Sequence, residues 1–231
     1  MIDDLRRSAA HVFVADVASP VLSPEDEHHL KNVLRLRAGE MVTCTDGRGR
    51  WRGCTWANGA LEPSGAEHVV ESIQPPLTVV VSPVKGDRTE FVVEKLVEIG
   101  IDRIVILAPV ERSVVRWSPD KVDHVMERYR RVARAAAMQS RRVHLPDVIG
   151  PDPLSSWAVH GVGFAEPGGD RRPEEVQTLV VGPEGGFSDE EVSMAPELVD
   201  LGDTVLRAET AAIVGATRMV AHRARSVRHT G

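Results

Sequence analysis

The pattern of hydrophobic and polar positions changes once along the chain, at Gln74-Pro75-Pro76. Before this point, short apolar runs such as Val42-Thr43-Cys44-Thr45 are separated by turn residues, and Asp46-Gly47 is a strong hairpin signal. One helix is predicted in this part, from the N-cap residue Ser23 through Leu34. The pattern therefore predicts a small β-rich domain over residues 1–73, followed by a proline-rich linker.

After the linker, apolar runs that are typical of strands alternate with segments of helical period. The predicted strands are Leu77–Val84, Ile104–Leu107, Val159–Phe164 and Thr178–Val181. Helices are predicted before Gly100, after Ser118-Pro119 and from about Thr210. Alternating strands and helices favour a mostly parallel sheet that is covered on both faces. Residues 77–231 are thus predicted to form an α/β domain.

A glycine-rich turn follows the last predicted strand, over Gly182-Pro183-Glu184-Gly185-Gly186-Phe187-Ser188. Ser188 is a good N-cap, and Glu191 completes a capping box at the start of a helix. Gly185 and Gly186 allow a positive φ or a close approach of the backbone to a ligand.

The chemistry of this turn argues against a phosphate site, although amides at a helix N-terminus often bind anions. No Lys-Ser/Thr pair follows the glycines, and Glu184 would repel a phosphate. A carboxylate suits a cationic or hydroxyl-rich ligand better. A phosphate-binding hydrolase is accordingly disfavoured.

A second turn, Leu206-Arg207-Ala208-Glu209-Thr210-Ala211, has the same strand-to-helix character and carries a cation and an acid together. A plain βα turn with good capping residues is the alternative interpretation of either segment alone. Two such turns close together in the sequence favour a binding or catalytic site.

Composition and charge narrow the class of protein. The chain has 231 residues, of which 42% are hydrophobic, and a net charge of −6. No apolar stretch approaches 18 residues and the N-terminus lacks an apolar signal region, so we expect a cytoplasmic protein. Cys44 and Cys54 lack the spacing of a metal or redox motif and are expected to be reduced thiols, and no metal site is predicted.

Positive charge is concentrated in two places despite the acidic total. The C-terminal patch contains Arg223, Arg225 and Arg228. The other patch lies within fifteen residues that contain no acid, and it consists of Arg128, Arg130, Arg131, Arg134, Arg141 and Arg142. Such a run is either a solvated helix face or an RNA-binding surface.

The two turns together resemble the paired motifs of the bacterial 16S ribosomal RNA uridine-N3 methyltransferases, which belong to the SPOUT superfamily of knotted methyltransferases. Three further segments resemble the same family in the same order: His29-Leu30 with Val33–Glu40, Lys85–Arg88 with Glu94–Gly100, and Gln139–Arg142. The resemblance covers nearly the whole chain.

This resemblance implies a fold, a reaction and partners. It implies a trefoil-knotted SPOUT domain over residues 77–231, a PUA-like RNA-binding β-barrel over residues 1–73, and a homodimer. The implied reaction is transfer of a methyl group from S-adenosylmethionine to N3 of a uridine in the decoding region of 16S ribosomal RNA, in the small subunit. That uridine is expected to be unpaired or flipped, because pairing hides N3.

The resemblance also implies roles for particular residues. Arg207 would stabilise negative charge on the uracil, and Glu209 would accept a proton or orient Arg207, unless it is simply an acidic residue in a first helical turn. The cofactor would be bound by Gly182, Pro183, Glu184, Gly185, Gly186, Leu206, Thr210 and Ala211. RNA would be bound by Arg35, Arg37, Lys85, Arg88, Gln139, Arg141 and Arg142.

Two points stay open from the sequence. Phe187 and the tryptophans are candidates for stacking on a base, although each is also a good core residue. The competing function is a non-catalytic RNA-binding module that uses the arginine surface alone, and retention of S-adenosylmethionine would distinguish the enzyme from it.

Overall fold

The computed structural model describes residues 2–229, with side chains for residues 3–226. The side chain of Arg228, which was assigned to the C-terminal basic patch, lies outside the described residues. The chain forms two compact units, Met1–Ile73 with Arg134–Leu145, and Gln74–Ala133 with Pro146–Gly231. The segment Arg134–Leu145 thus groups with the first unit, although it lies within the predicted second domain. Among the described residues, no helix is long and apolar enough to cross a bilayer.

The elements of the first unit are α1 (Ile2–Arg7), β1 (Ala10–Phe13), α2 (Pro24–His28), a π-helical turn (His29–Val33), β2 (Met41–Thr45), β3 (Arg50–Ala57) and β4 (Ala60–Val69). The strands form one sheet of order β1-β2-β3-β4, in which β1 and β2 are parallel and the other neighbours are antiparallel. The predicted small β-rich fold is confirmed.

Three local predictions in this unit have different outcomes. The hairpin at Asp46-Gly47 is confirmed, because it joins the antiparallel strands β2 and β3. The Ser23 cap is also confirmed, since its side chain accepts a hydrogen bond from the Asp26 amide at 3.0 Å. The single helix predicted through Leu34 is wrong, because the α-helix ends at His28 and a π-helical turn follows.

The core of the first unit contains both cysteines, which are free and fully buried. Their sulfur atoms lie 3.5 Å apart on β2 and β3. A buried polar cluster lies on the same sheet: His11 Nε2 donates to the Arg142 carbonyl at 3.0 Å, and its Nδ1 accepts from the Thr43 hydroxyl at 2.8 Å. Burial lowers the pKa of His11 to about 4, a direction that Arg141 reinforces.

The second unit is built on a six-stranded sheet. Its strands are β5 (Thr78–Val81), β6 (Arg103–Leu107), β7 (Asp147–Asp152), β8 (Val162–Ala165), β9 (Thr178–Val181) and β10 (Glu197–Val199). Their order in the sheet is β10-β8-β9-β5-β6-β7, and every pairing is parallel. The helices are α3 (Arg88–Ile99), α4 (Pro119–Gln139), α5 (Asp189–Ser193) and α6 (Ala208–His229). The last six residues of α4 are counted with the first unit. The predicted α/β class is confirmed.

Most predicted elements of this unit are present with shifted ends. Strand β9 has the predicted bounds, and α3 ends as expected at Gly100, which has a φ of 112°. Strand β8 begins at Val162 rather than Val159, whose side chain is exposed. Strands β7 and β10 were not predicted.

Helix α6 lies against strand β9 without an intervening side chain at Gly215. A Cβ atom at Gly215 would collide with the side chain of Leu179 on β9. Helix α3 also packs against α6. The N-terminus of α6 is thereby held on the strand that leads into the glycine-rich turn.

Candidate functional site

A cavity of about 550 Å³ lies beyond the carboxyl ends of the parallel strands in the second unit. Ligands of open α/β sheets bind at this edge, where the strand order reverses. Here the reversal falls between β9 and β5, which are neighbours in the sheet but distant in sequence. The cavity is lined by Arg88, Arg112, Ala165, Glu166, Pro167, Val181–Phe187, Asp200–Gly202 and Thr204–Ala208, with Ala211.

The glycine-rich turn takes a conformation that its residues require. Gly186 has a φ of 70°, and its amide donates to the Pro183 carbonyl at 2.9 Å. A side chain is sterically restricted at such a φ. The predicted capping box is confirmed, because Ser188 and Glu191 exchange both hydrogen bonds at the start of α5. Burial of Phe187 against Phe164 anchors the end of the turn in the core.

The segment after β6 holds the turn from one side. Arg112 donates to the Phe187 carbonyl at 2.8 Å, and a Cβ atom at Gly185 would lie only 3.1 Å from the Arg112 Cβ. The Glu111 amide donates to the Glu191 carboxylate at 2.7 Å. The turn is therefore fixed by a chain segment for which no role was predicted.

On the other side, Arg88 joins three segments. Its Nη2 lies 2.9 Å from Glu184 Oε1, its Nη1 lies 3.2 Å from Glu209 Oε1, and its Nε donates to the Lys85 carbonyl at 3.0 Å. The Lys85 amide also donates to Glu184 at 3.3 Å. One guanidinium thus connects the loop after β5, the glycine-rich turn and the first turn of α6.

Glu209 has one paired and one unpaired carboxylate oxygen. Among the described residues, its buried Oε2 has no hydrogen-bond partner, and the same holds for Ser82 Oγ. Both residues line a second cavity of about 10 Å³, close to the volume that one water molecule needs. Burial raises the pKa of Glu209, but a backbone hydrogen bond and Arg88 outweigh it, so that the pKa lies below its ordinary value.

The remaining charged residues of the large cavity are less constrained. Arg207 is exposed, and its side chain forms no hydrogen bond or ion pair with the residues that the structure describes. Burial raises the pKa of Glu166, and Arg112 only partly opposes this. The cavity wall therefore offers a half-buried carboxylate and a free guanidinium to a ligand.

Most of the predicted cofactor residues line the large cavity, as do Arg207 and Arg88. Thr210 does not line it and is exposed on α6, while Glu209 lines the smaller cavity beside it. Arg88 was predicted to bind RNA, and its side chain is engaged with the two carboxylates. The expected orientation of Arg207 by Glu209 has no hydrogen bond to support it, because Glu209 pairs with Arg88.

The other predicted RNA-binding residues differ in how accessible they are. Arg35, Arg37, Lys85 and Gln139 are exposed. Arg141 is half-buried, has a φ of 61°, and donates to the carbonyls of Ser8 and Met138 at 3.0 Å. Its contacts stabilise the first unit.

The arginine run on α4 is less free than its sequence suggests, because acids from elsewhere in the chain pair with it. Arg134 forms two hydrogen bonds with the buried Asp26, at 2.7 and 3.0 Å. Arg128 lies 3.0 Å from Glu90. In the C-terminal patch, Arg223 pairs with Asp102.

Sequence reasoning missed cavity residues that follow the ends of β6, β8 and β10, namely Arg112, Glu166, Pro167, Asp200, Leu201 and Gly202. A signal was available for some of them. Because the carboxyl ends of parallel strands meet at one edge, the residues just after Phe164 and Leu107 could have been included.

A fully parallel sheet with two glycine- and charge-bearing turns around a cavity at its carboxyl edge defines an α/β enzyme that binds a small organic ligand. The family model for the RNA methyltransferase domain matches residues 71–220, and that for the RNA methyltransferase PUA domain matches residues 22–55. The chain belongs to this family of RNA methyltransferases.

Two relatives of the chain share one name. It is 32% identical to Ribosomal RNA small subunit methyltransferase E of Mycobacterium bovis, with 85% of this chain and 84% of the relative covered. It is 29% identical to the Synechocystis protein of the same name, with 85% and 71% covered. A methyltransferase structure from Legionella pneumophila with bound cofactor SAM has 26% identity and a TM-score of 0.81, and the match covers 93% of this chain and 98% of that one.

These matches confirm the predicted class of enzyme and an α/β methyltransferase domain with a PUA-like domain at the N-terminus. Membership of the SPOUT superfamily stays a prediction. The alternative of a non-catalytic RNA-binding module is disfavoured. The trefoil knot stays a prediction.

Proposed function

We propose that this protein transfers a methyl group from S-adenosylmethionine to N3 of a uridine in the decoding region of 16S ribosomal RNA. The observation that carries the proposal is the cavity of about 550 Å³ that the two turns enclose together. The mycobacterial and cyanobacterial relatives named for small-subunit ribosomal RNA methylation support the choice of substrate.

The cavity fits this cofactor in size and in chemistry. Its volume lies within the range of sites for ligands of this size. At Gly186 a Cβ atom would meet nothing within 4 Å, so the backbone there is free to approach an adenosine. Glu166 and Asp200 suit its hydroxyl groups and the ammonium of its methionine part. When bound, S-adenosylmethionine supplies an electrophilic methyl group.

The protein must stabilise negative charge on the uracil oxygens while N3 loses its proton. Arg207 is suited to this task, because its guanidinium lines the cavity and is not committed to another group in the described residues. It is kept near the cavity by the first turn of α6, where the Ala211 amide donates to the Arg207 carbonyl at 2.8 Å.

Glu209 is better suited to positioning than to accepting the proton. Its lowered pKa makes it a weak base, and its Oε1 is occupied by Arg88. We therefore assign proton removal to solvent or to a group of the RNA complex, and we assign to Glu209 the placement of Arg88.

RNA binding, assembly and location complete the proposal. The exposed Arg35 and Arg37 of the first unit suit a phosphate backbone. We also propose that residues 1–73 bind RNA and that residues 77–231 carry out methyl transfer. The protein is proposed to be a homodimer that acts on the small subunit in the cytoplasm.

The test is incubation of the protein with labelled S-adenosylmethionine and either small-subunit particles or naked 16S RNA. Nuclease digestion and mass spectrometry then identify the labelled nucleotide. We expect N3-methyluridine at one position of the decoding region. Label on a ribose hydroxyl or on another base would refute the assigned reaction, and an Arg207→Ala protein serves as the matched negative control.

A further inference from the structure

We propose that Arg88 is a positioning residue that fixes Glu184 and Glu209 relative to each other, and thereby joins the glycine-rich turn to the first turn of α6. The arrangement of Arg88, Glu184 and Glu209 is called the frame below. The inference rests on the proposed function, because the frame encloses the cofactor cavity. It assigns to Arg88 a task other than contact with RNA.

The geometry of the guanidinium supports this assignment. Three of its nitrogen atoms are anchored at 2.9 to 3.2 Å, by two carboxylates and one carbonyl from three different segments. Only a planar fork with several donors can satisfy such partners at once. About one third of the Arg88 side chain is exposed, while Glu209 is 13% exposed. The pair is thus shielded on the Glu209 side.

Loss of Arg88 would leave two carboxylates that face each other without a cation between them. Glu209 is the more sensitive of the two, because its Oε2 is buried and unpartnered among the described residues. The charged groups around it are Arg88 from α3, Arg207 from the segment before α6, and Glu184 across Arg88. Ser82 and Thr89, which also line the small cavity, are neutral.

The sign of the pH effect follows from these neighbours. With Arg88 present, Glu209 stays ionised at neutral pH. Without Arg88, the effect of burial is no longer opposed by that cation, so the pKa of Glu209 rises. An ionised Glu209 then disrupts the frame at high pH, and protonation at low pH relieves the disruption.

The experiment is calorimetric titration of S-adenosylmethionine into the wild type and Arg88→Met from pH 5.5 to 8.5. We expect the variant to bind about tenfold more weakly or worse at pH 8.5, as for loss of hydrogen bonds between charged groups, and to approach the wild type as the pH falls. The double variant Arg88→Met/Glu209→Gln should lose this pH dependence. Arg88→Lys should be intermediate, because an ammonium is a point charge that cannot span both carboxylates as the fork does.

Arg128→Met is the matched control. It removes an arginine of α4 that pairs with Glu90 of α3, the helix that carries Arg88. Because Arg128 does not line the cavity, the cofactor affinity of this variant should equal that of the wild type at every pH. Thermal unfolding of each variant checks its fold. Arg88→Lys serves as the test if Arg88→Met does not fold.

Two results separate the inference from the proposed function. A carbon-13 titration of the glutamate carboxyl groups without cofactor, assigned with Glu209→Gln, should show a higher pKa for Glu209 in Arg88→Met than in the wild type. Equal Glu209 pKa values, or an Arg88→Lys protein with wild-type affinity at every pH, would overturn the inference. A wild type that does not bind S-adenosylmethionine would refute the proposed function, while the carboxyl titration would still decide the role of Arg88.

Discussion

Substitution of Gly186 tests whether the conformation of the glycine-rich turn or the space around it governs cofactor binding. The φ of 70° places Gly186 in the left-handed region, and a Cβ atom built there meets nothing within 4 Å. The protein itself would therefore accommodate a side chain, and the cost lies in the backbone. That cost is about 1–2 kcal/mol for an ordinary residue and more for a β-branched one.

If the turn must keep this φ to bind the cofactor, Gly186→Ala should weaken S-adenosylmethionine binding about 5- to 30-fold, which is the same free energy expressed as a ratio of dissociation constants. Gly186→Val should weaken it further, to the point where calorimetry detects no heat. Gly186→Asn should bind more tightly than Gly186→Val, because asparagine adopts the left-handed conformation more readily.

Gly161→Val is the control for backbone strain alone. Gly161 has a φ of 83°, a Cβ atom there also meets nothing within 4 Å, and it does not line the cavity. This variant should lose stability but keep its cofactor affinity. Equal affinity for Gly186→Val and the wild type would place the cofactor elsewhere. Because asparagine is larger than alanine but adopts this φ more readily, an Asn variant weaker than the Ala variant would show that volume rather than φ is decisive.

Further predictions concern catalysis, RNA binding and pH. Arg207→Ala should reduce the single-turnover rate of methyl transfer by about 10² or more, as loss of one donor to a developing anion does. Glu209→Gln should give a small loss that does not depend on pH, whereas a rate that recovers as the pH rises would identify Glu209 as the base. Arg37→Ala should lower the slope of log affinity for RNA against log salt by about 0.7 to 0.9, while Arg141→Ala should lower the melting temperature because it removes the anchors to two carbonyls. Because the pKa of His11 is about 4 when folded against 6.5 ordinarily, only the unfolded chain binds this proton between these pH values, and the fold loses about 3 kcal/mol of stability as the pH falls from 6.5 towards 4. Urea unfolding of His11→Gln should show a weaker pH dependence over this range.

The sequence was sufficient for the elements whose local signals agree with their surroundings. Strand β9, the Gly100 terminus of α3 and the Ser188 capping box are set by apolar runs, a left-handed glycine and side-chain caps within a few residues. Strands β7 and β10 were missed because they carry Gly, Pro or acidic residues, and β10 is an edge strand of three residues. These strands form because they pair with their neighbours in the sheet. Such pairing is not visible in the preferences of the residues themselves.

The site was predictable only where its residues are neighbours in sequence. The two turns were identified from their own residues, but the partner of Glu209 was not. Arg88 lies 121 positions away, and its pairing depends on the packing of α3 against α6. Likewise, the interpretation of Arg141 as an RNA contact rested on charge alone, and the sequence could not show that its guanidinium would be used by two carbonyls of the first unit.

The close packing at Gly215 makes the cavity depend on a position that does not line it. Helix α6 begins at Ala208 beside Arg207 and Glu209, and two turns later it rests on Leu179 with no room for a methyl group. A larger residue at Gly215 would act as a wedge, lifting the helix from the sheet. Because the helix is stiff, the displacement would reach its first turn and separate the two walls of the cavity. A methyl group at Gly215 meets only the end of the Leu179 side chain, so the displacement is expected for residues much larger than alanine. Sequence variation that leaves every cavity residue intact can therefore still weaken binding.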